Sequence, residues 1–535
     1  MAKVARPKEI SPLVIGLFDA GMTPLLRAGL GGLAAAVRAI HLRTNRQAQW
    51  PSPVPIGLGV AHVDAQHLTL DFCGAPPQEV LHALFDEAFQ IRRPPGLIEL
   101  AGSYGVYTKG SLALLAAQQS SLKRTFLQHG RTTAKAGGPQ THSEDLGEQT
   151  LRFSVQPYAS FVHQAAWENI GKALPDGTVE LAGWAYPGAA QRHIDYADTK
   201  ISYTPAQALC GCFALIGCIS YQAPRSGGVL VILEPDDLIR FAEVRPRLSP
   251  DQLAKWYISG TGDAVLATES VLRMERSAAE ARCVAAVHGV LLRATPWAKQ
   301  QKSRIFTISP GRIADSILDI YEEATRSLPT IIRVLGDSSD QDEGDGFFAA
   351  TSALRGFIAD NLAMGRPWFR DFATATTGGK TPRYLHRYRS RSDDLGALYP
   401  EERKGLVAML SHLELAERAL VSSVHIALRR RLRTIADECQ NQPATMKNRW
   451  QGERDKWRLA FAGSKTADQI RAHLADLWSR AGSNRELQEH WQTVLPLLRQ
   501  DKWQVARDLA LVALASYQSS RDQAGIEDDG DQQPT

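Results

Sequence analysis

Hydrophobic positions in the first 335 residues follow several different periods. SPLVIGLFDAG predicts a strand and turn, and TPLLRAGLGGLAAAVRAIHL predicts a helix that is capped by Thr23 and has Pro24 in its first position. VAHVDAQHLTLDFC alternates as a pair of strands does, PQEVLHALFDEAFQ has a helical period, and GGVLVILEP is a short apolar strand. Because these elements do not alternate regularly, residues 1–335 predict an irregular, mixed α+β domain rather than one parallel sheet.

Three further stretches of this region have weaker signals. DQLAKWYISG and TESVLRMERSAAEARCVAAVHGVLL predict helices. Residues 128–150 are polar and rich in glycine, and they lack a period, so they predict an exposed loop. Basic residues at the start of this predicted loop are equally compatible with a loop that faces DNA and with a plain surface insertion.

The chain becomes helical after an acid-rich segment, GDSSDQDEGDG, which predicts a solvated linker over residues 336–346. The stretch from Pro400 to Glu438 repeats its apolar positions at helical spacing and predicts one long helix that Met409 opens. Further helices are predicted to end at Gly463 and Gly482, to begin with a Ser483 cap, and to close the set with DKWQVARDLALVALASY. Residues 347–520 therefore predict a C-terminal helical bundle, and residues 521–535 a disordered tail.

Composition places the chain among ordinary globular proteins. The 535 residues are 44% hydrophobic and 22% charged, and the net charge is only +4, so any nucleic-acid site must be local. The cysteines of CGCFALIGC lack zinc-ligand spacing and lie in an apolar interval, which predicts buried free thiols. The N-terminus lacks the pattern of a signal peptide and no apolar run approaches the length of a membrane span, which predicts a cytoplasmic protein.

The segment TTGGKTPRYLHRYRSR combines bases with aromatic side chains. Its GGKT resembles a nucleotide-binding loop, but Thr374 replaces the opening glycine and Pro382 opposes the helix that must follow. Basic side chains neutralise phosphates and aromatic rings stack on bases, so a nucleic-acid strand is favoured over a plain solvated turn. The candidate residues are Lys380, Arg383, Tyr384, Arg387 and Arg389.

Two predicted helices of the bundle also concentrate bases. Arg429 and Arg430 belong to a run of arginines on the first helix, and Lys447, Arg454 and Arg458 share a face of the next. Two adjacent basic faces form a track for a phosphate backbone, although solvated arginines around a bundle explain the pattern equally well.

The sequence offers little sign of catalysis. It contains no G-x-S-x-G, no H-E-x-x-H and no paired C-x-x-C, and the H-x-D spacing in His193–Asp198 lacks a second ligand cluster. We therefore predict no catalytic residues, no metal and no cofactor. Two alternatives remain: a nucleic-acid-modifying or nucleotide-dependent enzyme with an unrecognised site, and a structural scaffold without nucleic-acid contact.

LFDAGMTPLLRAGLGGLAAAV resembles the opening of the Myxan-type large subunit of type I CRISPR surveillance complexes (Cascade). NRWQGERDKWRLAFAGSKTADQIRAHLADLWSRAG and DKWQVARDLALVALASYQ resemble the C-terminal bundle of that family. The resemblance implies a subunit that is not a nuclease. It implies an N-terminal domain that reads a short protospacer-adjacent motif in duplex DNA and starts strand separation, and a C-terminal domain that holds the displaced strand.

The same resemblance implies the partners. These are crRNA, target double-stranded DNA and other Cascade subunits, namely the backbone subunits, the subunits at the crRNA ends and the small subunit, with either a helicase-nuclease or a transposition protein beyond them and no membrane. By composition, the motif-side candidates are Lys109, Lys123, Arg124, Arg131 and Lys135. Gln118 and Gln119 are candidates for a minor-groove wedge, although their place on a helix favours solvated side chains.

A separately made small subunit is the last implication of the resemblance. In several such systems the C-terminal part is also translated from an internal start, for which Met364, Met409 and Met446 are the candidates and Met409 is preferred.

Overall fold

This computed structural model describes residues 11–44, 49–104, 110–128, 130–146, 149–181, 202–224, 227–279, 283–295, 302–334, 347–376, 400–439 and 442–517. The chain divides into two compact units: residues 1–318 with 330–351, and residues 319–329 with 352–535. The predicted linker at 336–346, the predicted tail at 521–535 and the H-x-D segment His193–Asp198 lie outside the described residues.

The first unit begins with a four-stranded antiparallel sheet. Its strands are ordered β1-β4-β3-β2, with β1 at Leu13–Gly16, β2 at Val54–Ile56, β3 at Gly59–Val63 and β4 at His67–Asp71. Burial alternates along β3 as the period-two pattern requires, so the predicted strand pair is confirmed.

Helix α1, Pro24–Thr44, packs against α5, Pro205–Gly217, with their backbones in contact. A Cβ on Gly29 would lie 1.9 Å from the carbonyl oxygen of Cys210, so only glycine permits this approach. The predicted cap is also observed, because the Thr23 hydroxyl accepts the amide of Leu26 at 3.4 Å. By length and composition alone α1 would span a membrane, but 78% of its apolar window is buried within the fold.

The cysteines of α5 are buried free thiols, as their apolar setting predicts. Burial raises the pKa of the Cys210 and Cys212 thiols far above the usual value and raises that of Cys218 to about 12. These thiols are inert packing groups at neutral pH.

The first unit also contains a second four-stranded antiparallel sheet, ordered β13-β14-β15-β16. Its strands are β13 Ile219–Ala223, β14 Gly227–Pro235, β15 Val284–Thr295 and β16 Lys302–Ile308. All residues of β14 are buried, which confirms the strand expected from its apolar run.

Two helix predictions in this region were wrong. The stretch TESVLRMERSAAEARCVAAVHGVLL was predicted to be one helix. Its first part belongs to helix α7, Thr261–Ala279, and its last part forms strand β15. The strand forms because β14 offers hydrogen-bonding partners along its length, with Ile232 opposite His288. The segment DQLAKWYISG forms only a 3₁₀ turn at Leu253–Trp256. The indole of Trp256 is buried in a small apolar cluster.

Residues 128–150, predicted as a loop, contain strands. β7, Thr133–Lys135, pairs with β10, Tyr158–Phe161, and β8, Gln140–Leu146, pairs with β9, Gln149–Val155. The cross-strand partners lie downstream of the polar segment, so its own composition does not reveal them.

The remaining elements of this unit are β5 Phe89–Arg92, β6 Leu97–Leu100, β11 Val179–Glu180, β12 Ser202–Tyr203, β17 Ile331–Val334, β18 Phe347–Ala350, α2 Pro77–Ala88, α3 Leu112–Arg124, α4 Trp167–Ala173 and α6 Leu238–Leu248.

The second unit is helical in its described residues. After α8, Asp315–Ser327, whose residues from 319 onward belong here, the helices are α9 Ala353–Ala363, α10 Phe372–Thr376, α11 Pro400–Met409, α12 Leu415–Glu438, α13 Pro443–Gly463, α14 Ala467–Ala481, α15 Arg485–Val494 and α16 Trp503–Ser516. Helix α16 is central, since its residues 508–514 are all buried and it packs against α10 to α14. The α+β class with a helical C-terminal region is therefore confirmed.

The predicted long helix from Pro400 to Glu438 is in fact two helices. Met409 ends α11 rather than opening a helix, a 3₁₀ turn follows, and Glu414 caps α12 by exchanging hydrogen bonds with the Glu417 segment. The apolar period continues across this break, so periodicity alone does not show it. One cap is also shifted, because Asn484 rather than Ser483 accepts the amide of Leu487, at 3.2 Å.

Candidate nucleic-acid interface

Strands β7 and β10 form a short ribbon beside the end of α3. Lys135 pairs with Tyr158 across the ribbon, and Thr133 pairs with Phe161. Helix α3 is started by Ser111, whose hydroxyl accepts the amide of Leu114, and its last turn carries Lys123 and Arg124, where cations complement the helix dipole.

Lys123 reaches onto this ribbon. Its ammonium lies 3.1 Å from the Thr133 hydroxyl and 5.7 Å from the centre of the Tyr158 ring. Burial lowers the pKa of Lys123, and the charge of Lys135 lowers it further. Lys123 and Lys135 thus repel each other, and within the described residues neither forms an ion pair with a carboxylate. An anion placed between the two ammonium groups would relieve this repulsion.

Two arginines extend the positive charge of the ribbon. Arg131 is exposed in the 3₁₀ turn Gly130–Thr132 that leads into β7. Arg93 is also exposed and donates to the carbonyl of Ala159, at 3.3 Å. We call Arg93, Lys123, Arg131 and Lys135 the basic ribbon. Sequence reasoning missed Arg93, although the pair of arginines in IRRPPG was a visible signal.

Arg124 is directed away from the basic ribbon. Its guanidinium donates to the carbonyl of Ala223, at 3.4 Å, at the end of β13. Burial lowers the pKa of Arg124, although nearby Tyr257 opposes the shift. Lys123 and Arg124 are adjacent in the sequence and were both predicted as motif-side candidates, but their side chains lie in different places in the structure.

The solvated state expected for Gln118 and Gln119 was wrong, because each side chain is only 5% exposed. The Gln119 amide accepts the Ile98 amide at 3.2 Å and donates to the carbonyl of Gln156 at 2.8 Å. Gln118 donates to the Ser103 hydroxyl. Both side chains satisfy buried polar groups of the first unit, so neither is available as a wedge.

The second unit exposes a separate set of arginines on α12. Arg429 and Arg430 lie on its solvent side, and Arg430 donates to the carbonyl of Ala481 at 3.5 Å. Arg433, one turn after Arg429, belongs to the same run of arginines and is exposed on the same face. Arg431, in contrast, pairs with Glu453 of α13 at 3.3 Å.

The predicted basic face of α13 is divided. Lys447 is exposed, but Arg454 is half-buried and donates to the carbonyl of Leu514 at the end of α16. Arg458 is half-buried and pairs with Asp455 at 3.1 Å. Arg454 thus satisfies the negative end of a helix, a structural task for an arginine.

Several candidates cannot be placed. Lys109 and the five residues of the basic loop fall outside the described residues, and these are Lys380, Arg383, Tyr384, Arg387 and Arg389. Their proposed contacts stay predictions.

Comparison with known proteins decides the family. A DevT N-terminal domain model matches residues 14–212, and a DevT C-terminal domain model matches residues 411–535. The CRISPR-associated protein Cas8a1/Csx13 of Myxococcus xanthus (strain DK1622) is 47% identical over 539 residues, which cover 99% of this chain and 94% of that protein. The chain belongs to the Cas8a1/Csx13 family. This confirms the resemblance to the Myxan-type large subunit of Cascade.

The family match covers both basic regions. The basic ribbon lies within the range of the N-terminal model, and the exposed arginines of α12 lie within that of the C-terminal model. Among the described residues, no three His, Cys, Asp or Glu side chains are grouped so that they could hold a metal ion. The charge that this Cas8a1/Csx13 family member presents in these two regions is suited to phosphate rather than to a cation.

Proposed function

We propose that this protein is the non-catalytic large subunit of a cytoplasmic, crRNA-guided complex that targets DNA. The first unit recognises the protospacer-adjacent motif in duplex DNA and helps to separate the strands, and the second unit holds the displaced strand. Its partners are crRNA, target DNA and the other Cascade subunits. The proposal is supported by family membership across nearly the whole chain together with two local concentrations of cations.

The observation that carries the proposal is the positive charge that Lys123 and Lys135 bring together in the basic ribbon. Burial lowers the pKa of Lys123 and the charge of Lys135 lowers it further, and no carboxylate forms an ion pair with either side chain in the described structure. A phosphate of the DNA backbone would supply the missing negative charge and release counterions. The Tyr158 ring, already beneath the Lys123 ammonium, restricts where that phosphate can sit.

Base pairing with crRNA supplies most of the sequence information in such complexes, so the protein needs only a short motif and many backbone contacts. The exposed face of α12 offers the second set of contacts through Arg429, Arg430 and Arg433. A flexible single strand can follow separated cations, since phosphate contacts carry no sequence requirement of their own.

Charge reversal in the assembled complex tests the basic ribbon. Lys135→Glu should weaken retention of target DNA and reduce the dependence of log Kd on log salt by about one ion per lost phosphate contact. Lys172→Glu is the matched control, because Lys172 of α4 is exposed in the same unit and changes the charge equally. We expect the control to bind DNA as the wild type does.

Equal salt slopes for Lys135→Glu, Lys172→Glu and the wild type would contradict the assignment of the basic ribbon. The non-catalytic assignment has its own measurement: hydrolysis of ATP or cleavage of DNA by the purified chain would overturn it.

A further inference from the structure

The turn between β1 and α1 presents apolar side chains to solvent. Phe18 is 62% exposed, and Val14, four residues earlier on the edge strand β1, is 55% exposed, whereas Ile15 and Leu17 between them are buried. We call Phe18 and Val14 the apolar knob. Aromatic side chains are enriched in protein–protein interfaces relative to the rest of the surface, so an exposed phenylalanine beside a second exposed apolar side chain is a candidate contact.

The backbone beneath the apolar knob is held at several points. The Asp19 carboxylate accepts the amide of Gly16 at 2.6 Å, and the Met22 amide donates to the carbonyl of Asp19 at 3.1 Å. Gly21 adopts φ +81°, a conformation that favours glycine, and the Gln207 side chain donates to the carbonyl of Ala20. The turn therefore presents Phe18 in one backbone conformation.

Arg27 supports the ring from one side. Its guanidinium lies 5.8 Å from the centre of the Phe18 ring, and it is fixed by hydrogen bonds to the carbonyl of Met22 at 3.1 Å and to Glu234 at 2.7 Å. His288 bonds the other oxygen of Glu234. Burial raises the pKa of Glu234, but the hydrogen bond from His288 and the charges of His288 and Arg27 outweigh it, so the pKa lies below the usual value.

The charges around the apolar knob distinguish between classes of partner. The positive charge of Arg27 is compensated by Glu234, and Asp19, the residue after Phe18, is exposed and carries a negative charge. Both features disfavour the phosphates of a nucleic acid. An exposed aromatic side chain on a turn with a fixed backbone, followed in the sequence by a carboxylate, instead suits a protein surface with an apolar socket and a basic rim.

We propose that Phe18 is an anchor residue through which this chain binds another protein subunit of its complex. Phe18 enters an apolar socket on that subunit, Val14 packs at the edge of the socket, and Asp19 faces a lysine or arginine on its rim. The inference rests on the proposed function, since membership of a surveillance complex is what provides the partner. Arg27 is a positioning residue, because it orients the ring without touching the partner.

The test uses the full chain co-expressed with the remaining subunits of its complex and crRNA, before any DNA is added. Phe18→Ala should leave the melting temperature of the isolated chain within about 1 °C of the wild type, because the ring is mostly solvated. It should weaken association with those subunits at least about tenfold, as the loss of an interface anchor does.

Leu58→Ala is the matched control. Leu58 is 66% exposed and lies in the turn between β2 and β3, at the other edge of the same sheet. The control should associate within about twofold of the wild type, since scattered exposed apolar residues contribute little to specific binding. Equal association of both variants and the wild type would refute the anchor.

Asp19→Asn tests the basic rim, because the asparagine oxygen still accepts the Gly16 amide while the charge is removed. We expect slower association at low salt and little difference at high salt. Normal assembly of Phe18→Ala with weakened DNA retention would overturn the proposal and assign the ring to nucleic acid. If the wild-type complex assembles through Phe18 but does not bind target DNA, the proposed function is refuted and the role of Phe18 as an anchor residue is retained.

Discussion

Asp508 is a buried carboxylate at the centre of the second unit. It accepts the main-chain amides of Asp371 at 2.8 Å and Ala373 at 3.2 Å, and Arg507 lies 3.3 Å from it. Burial raises the pKa of Asp508 to about 6 despite the charge of Arg507 and these amide donors. One side chain of α16 thereby binds main-chain amides at the start of α10.

The raised pKa of Asp508 predicts a pH-dependent stability. The folded-state pKa exceeds the unfolded value of about 3.9, so the folded state binds the proton more tightly and stability falls as pH rises from about 4 to about 6. The contribution is about 3 kcal/mol for a shift of about two units. In denaturant unfolding across this range, the unfolding free energy of the wild type should fall by roughly that amount relative to that of Asp508→Asn, which does not titrate. A difference independent of pH would contradict this assignment.

Residue type alone did not reveal which polar side chains are structural. Gln118 and Gln119 had the composition of a groove-contacting pair, but they serve Ser103, Ile98 and the carbonyl of Gln156 inside the first unit. Lys123 and Arg124, adjacent in sequence, have different partners because successive residues of a helix point about 100° apart.

At the scale of elements, α13 contains a glycine without an evident packing role. Gly452 is exposed in the middle of the helix, and a Cβ there would meet no atom within 4 Å. Gly482 ends α14 with φ +76° and also has open space around it. Gly452 has a helical backbone and Gly482 has a positive φ, so substitutions at the two positions separate helix propensity from the strain of a positive φ.

We expect Gly452→Ala to stabilise the second unit by about 0.5–1 kcal/mol, because alanine loses less backbone entropy in a helix. Gly482→Ala should destabilise it by about 1 kcal/mol, since an L-residue is strained at positive φ. Thermal unfolding of the full chain measures both. Stabilisation by both substitutions would show that the strain at Gly482 is negligible.

Element predictions succeeded where the period belonged to one segment. Helices α1, α2, α13, α14 and α16 followed from their own apolar spacing and caps. Strand β15 did not, because its identity depends on pairing with β14, and the valines that form it also fit a helix. The break between α11 and α12 was equally hidden, since the apolar period continues across it.

At the scale of the whole molecule, the C-terminal family model begins at residue 411, two residues after Met409. Met409 itself is buried at the end of α11, so a product that starts there lacks α8 to α11, which belong wholly or in part to the second unit. The remaining helices α12 to α16 still include the central α16 and its partners α12, α13 and α14.

We therefore predict that the gene also yields a short protein comprising residues 409–535. A C-terminal tag should detect it beside the full chain, and Met409→Leu should abolish it while the full chain still folds, because leucine nearly conserves the buried volume. Mass spectrometry of the tagged product identifies its first residue. A tagged culture that contains the full chain alone would exclude this internal start.

The sequence by itself determined the helical second unit, the capped helix α1, the buried strand β14, the buried thiols and the family. These features follow from helix bonds between residues four apart, from local apolar runs and from long matching segments. Tertiary structure alone decided the pairing of β15 and β7, the burial of Gln118 and Gln119, and which cations reach solvent. Those outcomes depend on partners distant in the chain, such as Ile232 for His288 or Ile98 for Gln119, and no local pattern specifies them.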